Sequence, residues 1–248
     1  IPFLFSCVLV AVGVFVRLKL TEVPIFLAVL DESKSKTLPM MEVMVNHFKP
    51  FFLGILICIS GYVLFYIMIA FSQIYAKSTP TVSEAGYTMG LGFSPQIFTA
   101  LLMYSAVSLA ISITISGKCI DKIGRRIWLI WTTFGVAIFG LALPYFLDNG
   151  TTTSLFWFLM IGMGLIGMGY GPLASFLPEL FPTHARYSGA SLTYNISGLF
   201  GASVAAIITL PLNANYGLKG VGIYLTLNAV LSLIGLWFIT ETKDKHLA

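Results

Sequence analysis

Long apolar stretches dominate the pattern along this chain. Seven of them contain no charged residue, at about 1–16, 51–75, 95–116, 127–147, 154–178, 188–212 and 221–240. A membrane-spanning helix needs about 20 apolar residues, so each stretch is long enough to cross a bilayer, the first only barely. Backbone amides in hydrocarbon must bond within their own segment, which favours helices over a barrel of shorter alternating strands. The predicted fold class is all-α, a polytopic transmembrane helical bundle.

The composition supports a membrane protein and excludes several other classes. Of 248 residues, 57% are hydrophobic and 10% are charged, whereas a soluble domain carries roughly 25% charged residues. The 20 phenylalanines and 23 glycines spread along the chain exclude collagen, coiled coil and a disordered tail. Cys7, Cys58 and Cys119 have no paired spacing, so the sequence predicts no disulfide framework, metal site or cofactor. The start at Ile1, inside apolar sequence, predicts a fragment rather than a signal peptide.

The basic residues are distributed unequally between alternate loops. Twelve lie in the loops of one face and only Lys77 and Lys219 in those of the other. Since basic loops stay cytoplasmic, this asymmetry predicts an outside amino terminus and an inside carboxy terminus. The long inside loop, about 17–50, mixes Asp31, Glu32 and Glu42 with lysines and with apolar residues such as Met40, Met41, Val43 and Met44, which suits an amphipathic segment on the membrane surface. The outer loop 76–92, rich in glycine and proline, is expected to be irregular and flexible.

One inside loop has an unusual arrangement of glycines and charges. The run Gly117-Lys118-Cys119-Ile120-Asp121-Lys122-Ile123-Gly124-Arg125-Arg126 predicts a tight turn between the third and fourth spans. Glycines at both ends permit a sharp reversal, Asp121 can cap the following helix, and the arginines can bridge to carboxylates or helix carboxyl ends. A loop whose positive charge only keeps it on the inside of the membrane would need neither the acid nor the glycines.

This run resembles the loop signature G-x-x-x-D-[RK]-x-G-R-[RK] of the major facilitator superfamily, and it matches every position. A second inside loop, from Pro178-Glu179 to Arg186 and Gly189, resembles the P-E-x-F-P-T-x-x-R-x-x-G element of sugar porters and of metabolite:proton symporters. The starts of the first span and of the loop after it, and Thr240-Glu241-Thr242, favour the symporter branch. The resemblance implies domains at 1–20 (helix six), 21–50 (central cytoplasmic loop) and 51–248 (helices seven to twelve).

A rocking carrier needs contacts that hold each end of its pore shut in turn. The two loop signatures offer both signs of charge on one face, so we expect a cytoplasmic latch at Gly117, Asp121, Gly124, Arg125, Arg126, Glu179 and Arg186. Glycines four residues apart in the fifth span, Gly167 and Gly171, favour close helix packing. His184, alone in its loop, is expected to be solvated.

Polar groups within the spans are the candidate solute contacts, although an interhelical hydrogen bond would explain each one singly. The candidates are Tyr62, Tyr66, Gln73, Tyr104, Tyr170 and Asn195. No span carries Asp, Glu, His, Lys or Arg, and a proton-coupled carrier needs a titratable group within the membrane. The resemblance therefore implies that the coupling group lies in an amino-terminal half outside this chain.

The sequence thus predicts part of a secondary transporter in the inner membrane, carrying a small organic acid or zwitterion with a proton. Its partners would be the solute, the bilayer and the other half of the transporter, with no nucleic acid. A sugar-porter-type facilitator remains open, as does a seven-helix receptor, which fits the span count but has no need of the loop signatures. A membrane-embedded enzyme is disfavoured because no acid or histidine lies at membrane depth.

Overall fold

The computed structural model describes residues 10, 12–16 and 39–239. The chain divides into two compact units, Ile1–Leu38 and Pro39–Ala248. Residues 12–16 of the first unit are helical. Most of the first predicted span, the loop signature after it and the carboxy-terminal Thr240-Glu241-Thr242 lie outside the described residues. The boundaries predicted at residues 20 and 50 therefore stay predictions.

The described part of the second unit is helical. A short helix, α1, spans Pro39–Asn46, and five helices are long and apolar enough to cross a membrane. These are α2 (Phe48–Lys77), α3 (Pro95–Ile123), α4 (Arg125–Leu147), α5 (Thr152–Glu179) and α6 (Arg186–Phe238). Outside them, the described residues contain one isolated antiparallel bridge, between Val82 and Thr88, and no named strand. The all-α prediction is confirmed.

Six of the seven predicted spans coincide with these helices. The sixth and seventh are two helices within α6 that meet at Gly217, where the backbone leaves the helical region with φ 66° and ψ −169°. Only glycine adopts such a conformation without strain. Ser197 before this point and Ser232 after it donate to the neighbouring α2 carbonyls of Ile55 and Leu56, so the chain reverses at Gly217. Two helices widen by a π-helical turn, at Ile67–Phe71 in α2 and at Leu199–Ser203 in α6.

Local sequence signals explain where the helices begin. Ser94 caps α3, accepting a bond from the Ile97 amide at 3.4 Å, and Pro95 opens that helix. Thr151 caps α5 through the Ser154 amide at 3.2 Å. Both caps satisfy amides that have no partner within the helix.

Small residues set the distances between the helices. A Cβ on Gly167 of α5 would lie 2.6 Å from the Leu109 carbonyl oxygen of α3, so the two backbones are in direct contact there. The helices α4 and α6 meet in the same way at Gly140 and Gly222. The packing role predicted for Gly167 thus has a physical basis, since only hydrogen fits between the backbones.

The outer loop after α2 has no named strand, in keeping with the predicted irregular loop, but its backbone closes on itself around the isolated bridge between Val82 and Thr88. The Ser83 amide donates to the Tyr87 carbonyl at 2.8 Å, and the Phe93 amide returns to the carbonyl of Ala76 at 2.8 Å. The side-chain amide of Asn213 in α6 donates a longer hydrogen bond of 3.5 Å to the backbone carbonyl of Thr88. Backbone pairing, which composition does not report, organises this loop.

The helices place charge unequally at the two ends of the bundle. One end, which we call the basic end, comprises the start of α2, the α3–α4 turn, the α5–α6 turn and the end of α6. Its described basic residues are Lys49, Lys118, Lys122, Arg125, Arg126 and Arg186. The opposite end carries Lys77 and Lys219. The alternation of loops predicted from the sequence thus reappears as two distinct ends.

Candidate functional site

A cavity of about 320 Å³ lies among the five long helices. All five contribute side chains to its wall, and most of the wall is aliphatic. The polar side chains in it are Ser60, Tyr62, Thr132, Thr133, Tyr170 and Tyr194. Among the described residues that line it, none is charged. A volume of this size suits a small solute, which this wall would bind through hydroxyl groups and apolar contact.

Three tyrosines from three different helices meet at this cavity. Tyr62 comes from α2, Tyr170 from α5 and Tyr194 from α6. The rings of Tyr62 and Tyr194 lie 5.1 Å apart and tilted by 55°, and Tyr170 lines the same cavity. Each phenol both donates and accepts hydrogen bonds. The cluster can therefore bind a carboxylate or a hydroxyl group without carrying charge.

The structure brings together only two of the six predicted cavity residues, Tyr62 and Tyr170. Tyr66 packs half-buried against the core, while Gln73 is exposed on α2 and Tyr104 is 64% exposed on α3. Asn195 turns its amide to the Ser191 carbonyl at 2.8 Å. These four residues lie outside the cavity described here.

Sequence reasoning missed the cavity residues on α4. Thr132 and Thr133 are buried and face the cavity, and the Thr132 hydroxyl donates to the Trp128 carbonyl at 3.0 Å. A pair of threonines in an apolar span was the available signal. The signal is weak, because such hydroxyls commonly bond their own helix backbone.

At the basic end, the turn between α3 and α4 consists of Gly124 alone. Its φ of 101° allows the chain to reverse between two helices that end and begin on either side of it. Arg125 forms an ion pair with Glu179 at the end of α5. Arg126 donates to the carbonyl oxygens of Leu236 and Trp237 at 2.8 and 3.1 Å, where α6 ends and carbonyls lack helical partners.

Two details of the predicted turn were wrong. Gly117 lies within α3, not at a turn, because α3 continues to Ile123. For the same reason Asp121 does not cap α4, whose N-cap is Gly124 without a side-chain bond. Asp121 is exposed in the last turn of α3, and no ion pair joins it to another described residue. A carboxylate there opposes the helix dipole.

Arg186 opens α6 beside this turn. Its Nε atom is buried, and no acceptor among the described residues meets it. Because a buried donor without a partner costs free energy, this guanidinium is suited to an acceptor beyond the described residues. The Arg125–Glu179 pair, in contrast, joins two helices of one unit. Of the expected latch residues, the structure thus pairs Arg125 with Glu179, while Asp121 has no ion pair and Arg186 Nε no hydrogen-bond acceptor among the described residues.

The opposite end has its own electrostatic feature at Asp148, which follows α4. Burial raises the pKa of the Asp148 carboxyl above its ordinary value, while the positive charge of Lys219 acts to lower that pKa. Burial is the larger effect.

The profile of the family described as "Sugar (and other) transporter" matches residues 31–248. The chain belongs to this family. It is 84% identical over 248 residues to a protein from Haemophilus influenzae named "Putative metabolite transport protein". It is 37% identical over 248 residues to the "Inner membrane metabolite transport protein YhjE" of Escherichia coli K12. The resemblance to the major facilitator superfamily is thereby confirmed, and the relatives are named as transport proteins rather than enzymes.

Relatives with a named solute are more distant. The "Glycine betaine/proline/ectoine/pipecolic acid transporter OusA" of Dickeya dadantii is 27% identical over 258 residues and covers this whole chain. The chain spans about half the length of the curated relatives it matches: 56% of the Haemophilus protein, 55% of YhjE and 49% of OusA. No solved structure gives a significant match. Family and helices together identify an integral, multi-pass membrane protein.

Proposed function

We propose that this chain forms one half of an alternating-access carrier that moves a small zwitterionic or carboxylate metabolite together with a proton. The observation that carries the proposal is the uncharged cavity, lined by residues of five helices that include three tyrosines. Membership of a transporter family supports it. The other half would complete the wall of the cavity, as alternating access requires two bundles that rock about a central site.

The solute class follows from the chemistry of this wall and from the relatives' names. Hydroxyls bind a carboxylate without a cation, and tyrosine faces attract a quaternary or protonated amine. OusA, named for betaine and amino-acid-like solutes, points the same way. The described residues that line the cavity include no acid or histidine, so the proton-coupling group would belong to the other half.

For the orientation, we propose that the basic end faces the cytoplasm, because basic loops are retained there. The amino terminus of the chain would then lie outside and its carboxy terminus inside. YhjE is named as an inner membrane protein, which supports the same membrane for this chain.

For the latch, we propose that the charged residues of the basic end have two different roles. Arg125 and Glu179 hold α4 against α5 and so keep the bundle rigid. Asp121 and Arg186 reach the other half when the inner side closes, because both carry charge that no ion pair within the described residues balances. Exposed pairs contribute about 0–1 kcal/mol each, enough to bias a two-state equilibrium.

A transport assay tests the solute and the coupling. The full-length protein in liposomes, given an inward proton gradient, should accumulate proline or glycine betaine, and an ionophore that abolishes the gradient should stop accumulation. Glucose uptake without accumulation would instead favour the sugar-porter-type facilitator, for which the family description offers support. A receptor would give no uptake of either solute.

Tyrosine variants test the cavity. Tyr62→Phe keeps the ring but removes a hydroxyl from the wall, so we expect a several-fold higher KM. Tyr145→Phe is the matched control, since Tyr145 is 75% exposed on α4 and does not line the cavity. Equal KM values for both variants would contradict the cavity assignment.

Charge variants test the latch. Asp121→Asn should increase inward accessibility of the full-length carrier, measured by thiol labelling of cavity cysteines from the inside, with little change in stability. Glu179→Gln should instead lower stability, because it leaves Arg125 without its carboxylate. If Asp121→Asn and Glu179→Gln both left transport and inward accessibility unchanged, the latch would be disproved.

A further inference from the structure

Two distant segments of the chain bring three potential metal ligands together at the basic end. Glu42 lies on α1 and His47 between α1 and α2, whereas His184 belongs to the turn between α5 and α6. The Nε2 atom of His184 lies 3.0 Å from the Oε1 atom of Glu42. The expectation that His184 is merely solvated was therefore wrong. The fold creates a cluster that no spacing along the sequence indicates.

The geometry of this cluster goes beyond a single ion pair. The ring of His47 lies 6.1 Å from that of His184, tilted by 56°. One ligand atom from each of the three side chains lies within 4.8 Å of the other two. Ligand atoms around a tetrahedral Zn²⁺ lie roughly 3.4 Å apart, given metal–ligand bonds of about 2.0–2.2 Å. Small side-chain rotations would bring all three donors to this distance.

We propose that Glu42, His47 and His184 bind a divalent transition-metal ion, with Zn²⁺ the best match. Two imidazole nitrogens and one carboxylate oxygen are ligands that Zn²⁺ accepts readily. The side chains of Glu42 and His184 are 22% and 45% exposed, so an ion can enter and a water molecule can complete the coordination. A bond between His184 and Glu42 alone would leave the approach of His47 unexplained.

A metal here would fasten α1 to the start of α6. The two are already in contact, and Val43 of α1 is fully buried, so the ion would strengthen an existing contact. A metal that binds only the folded site stabilises the fold by a free energy that rises with the logarithm of the affinity. The site's existence does not depend on the proposed transport function.

Zinc titration of the purified chain tests the site. The protein, stripped of metal in detergent and carrying Cys7→Ser and Cys119→Ser to remove competing thiols, should take one Zn²⁺ per chain from a chromophoric chelator. His47→Ala and His184→Ala should each raise the Kd for Zn²⁺ at least about tenfold, since even the loss of an outer-shell partner costs 10–100-fold. Glu42→Gln should also weaken binding.

Matched variants control for scattered surface binding. His246→Ala and Glu84→Gln remove a histidine outside the described residues and a carboxylate of the outer loop, and neither should change the Kd. Failure of the parent chain to bind Zn²⁺, or equal weakening by His246→Ala and His47→Ala, would overturn the proposal.

Chemical modification of the histidines tests the site without substituting any of the three proposed metal ligands. In the same parent chain, Zn²⁺ should protect His47 and His184 from diethylpyrocarbonate but leave His246 reactive, as measured by peptide mass spectrometry. Unchanged reactivity of His47 and His184 at saturating Zn²⁺ would show only an ion pair between His184 and Glu42.

Discussion

At the scale of single residues, the Arg125–Glu179 pair lies where solvent is partly excluded. The side chains are 25% and 14% exposed, so the pair interacts at reduced screening by water. We expect Glu179→Gln to lower the free energy of unfolding by about 1–3 kcal/mol, because it removes a charge-assisted hydrogen bond from a partly buried pair. Thermal unfolding in detergent measures this, and Glu84→Gln, in the exposed outer loop, should have no effect. Equal melting temperatures for the two variants would contradict the argument.

The raised pKa of Asp148 leads to a prediction of how the free energy of unfolding changes with pH. Its folded pKa is raised by burial above an unfolded value of about 3.9, so the folded chain holds the proton more tightly. The contribution of the protonated Asp148 carboxyl to the free energy of unfolding is therefore complete below about pH 4. It is lost as the pH rises through the folded pKa, because the buried carboxyl then ionises. Asp148→Asn cannot ionise and should therefore gain stability relative to wild type between pH 4 and pH 7. A melting-temperature difference that stays constant over this range would refute the raised pKa.

At the scale of helices, the contact between α3 and α5 depends on Gly167. A methyl group there would press on the Leu109 carbonyl, so Gly167→Ala should destabilise the bundle by about 1–3 kcal/mol. Gly169→Ala, two residues further along α5, is the control because the nearest atom to its Cβ would be 3.8 Å away. Alanine is the better helix former by about 1 kcal/mol, so this control should be neutral or stabilising. Chemical denaturation of both variants measures the difference.

The positive φ of Gly217 within α6 gives a second prediction at the scale of helices. Gly217 has a positive φ, and a Cβ on it would lie 2.6 Å from the Tyr87 ring. Gly217→Ala should therefore cost about 1–3 kcal/mol from backbone strain. Gly117→Ala, with open space around its Cβ and helical backbone, should not destabilise the chain. A destabilised Gly117→Ala would instead support the turn that the sequence predicted there.

At the scale of the whole molecule, the proposed orientation can be measured directly. In the full-length protein lacking other accessible thiols, a cysteine at position 121 should react with a membrane-impermeant maleimide only after the cells are opened. A cysteine at position 84, in the outer loop, should react in intact cells. The reverse pattern would invert the topology. It would also place the latch on the wrong side of the membrane.

The chain alone should not transport. Its cavity wall is formed from the five long helices described here, and alternating access needs a second bundle. We expect the 248-residue chain in liposomes to show no uptake under conditions where the full-length protein accumulates solute. Measurable uptake by the chain alone would contradict the two-bundle mechanism.

The sequence by itself determined the all-α class, the positions of the described spans and the charge asymmetry of the two ends. These properties depend on segment length and hydrophobicity, because the bilayer acts on each segment separately. The loop signature also indicated the family, since its residue types and spacing were complete within ten residues. The local sequence pattern was sufficient to predict those features that depend on one segment at a time.

Only the tertiary structure decided which polar side chains meet. Tyr62 and Tyr170 reach one cavity while Gln73 and Tyr104 face away from it, and His184 lies beside Glu42 rather than in open solvent. Which face of a helix turns inward depends on its packing against neighbours that are remote in sequence. Contacts such as that of Gly167 with Leu109 set this packing, and no periodicity along a wholly apolar helix reports it.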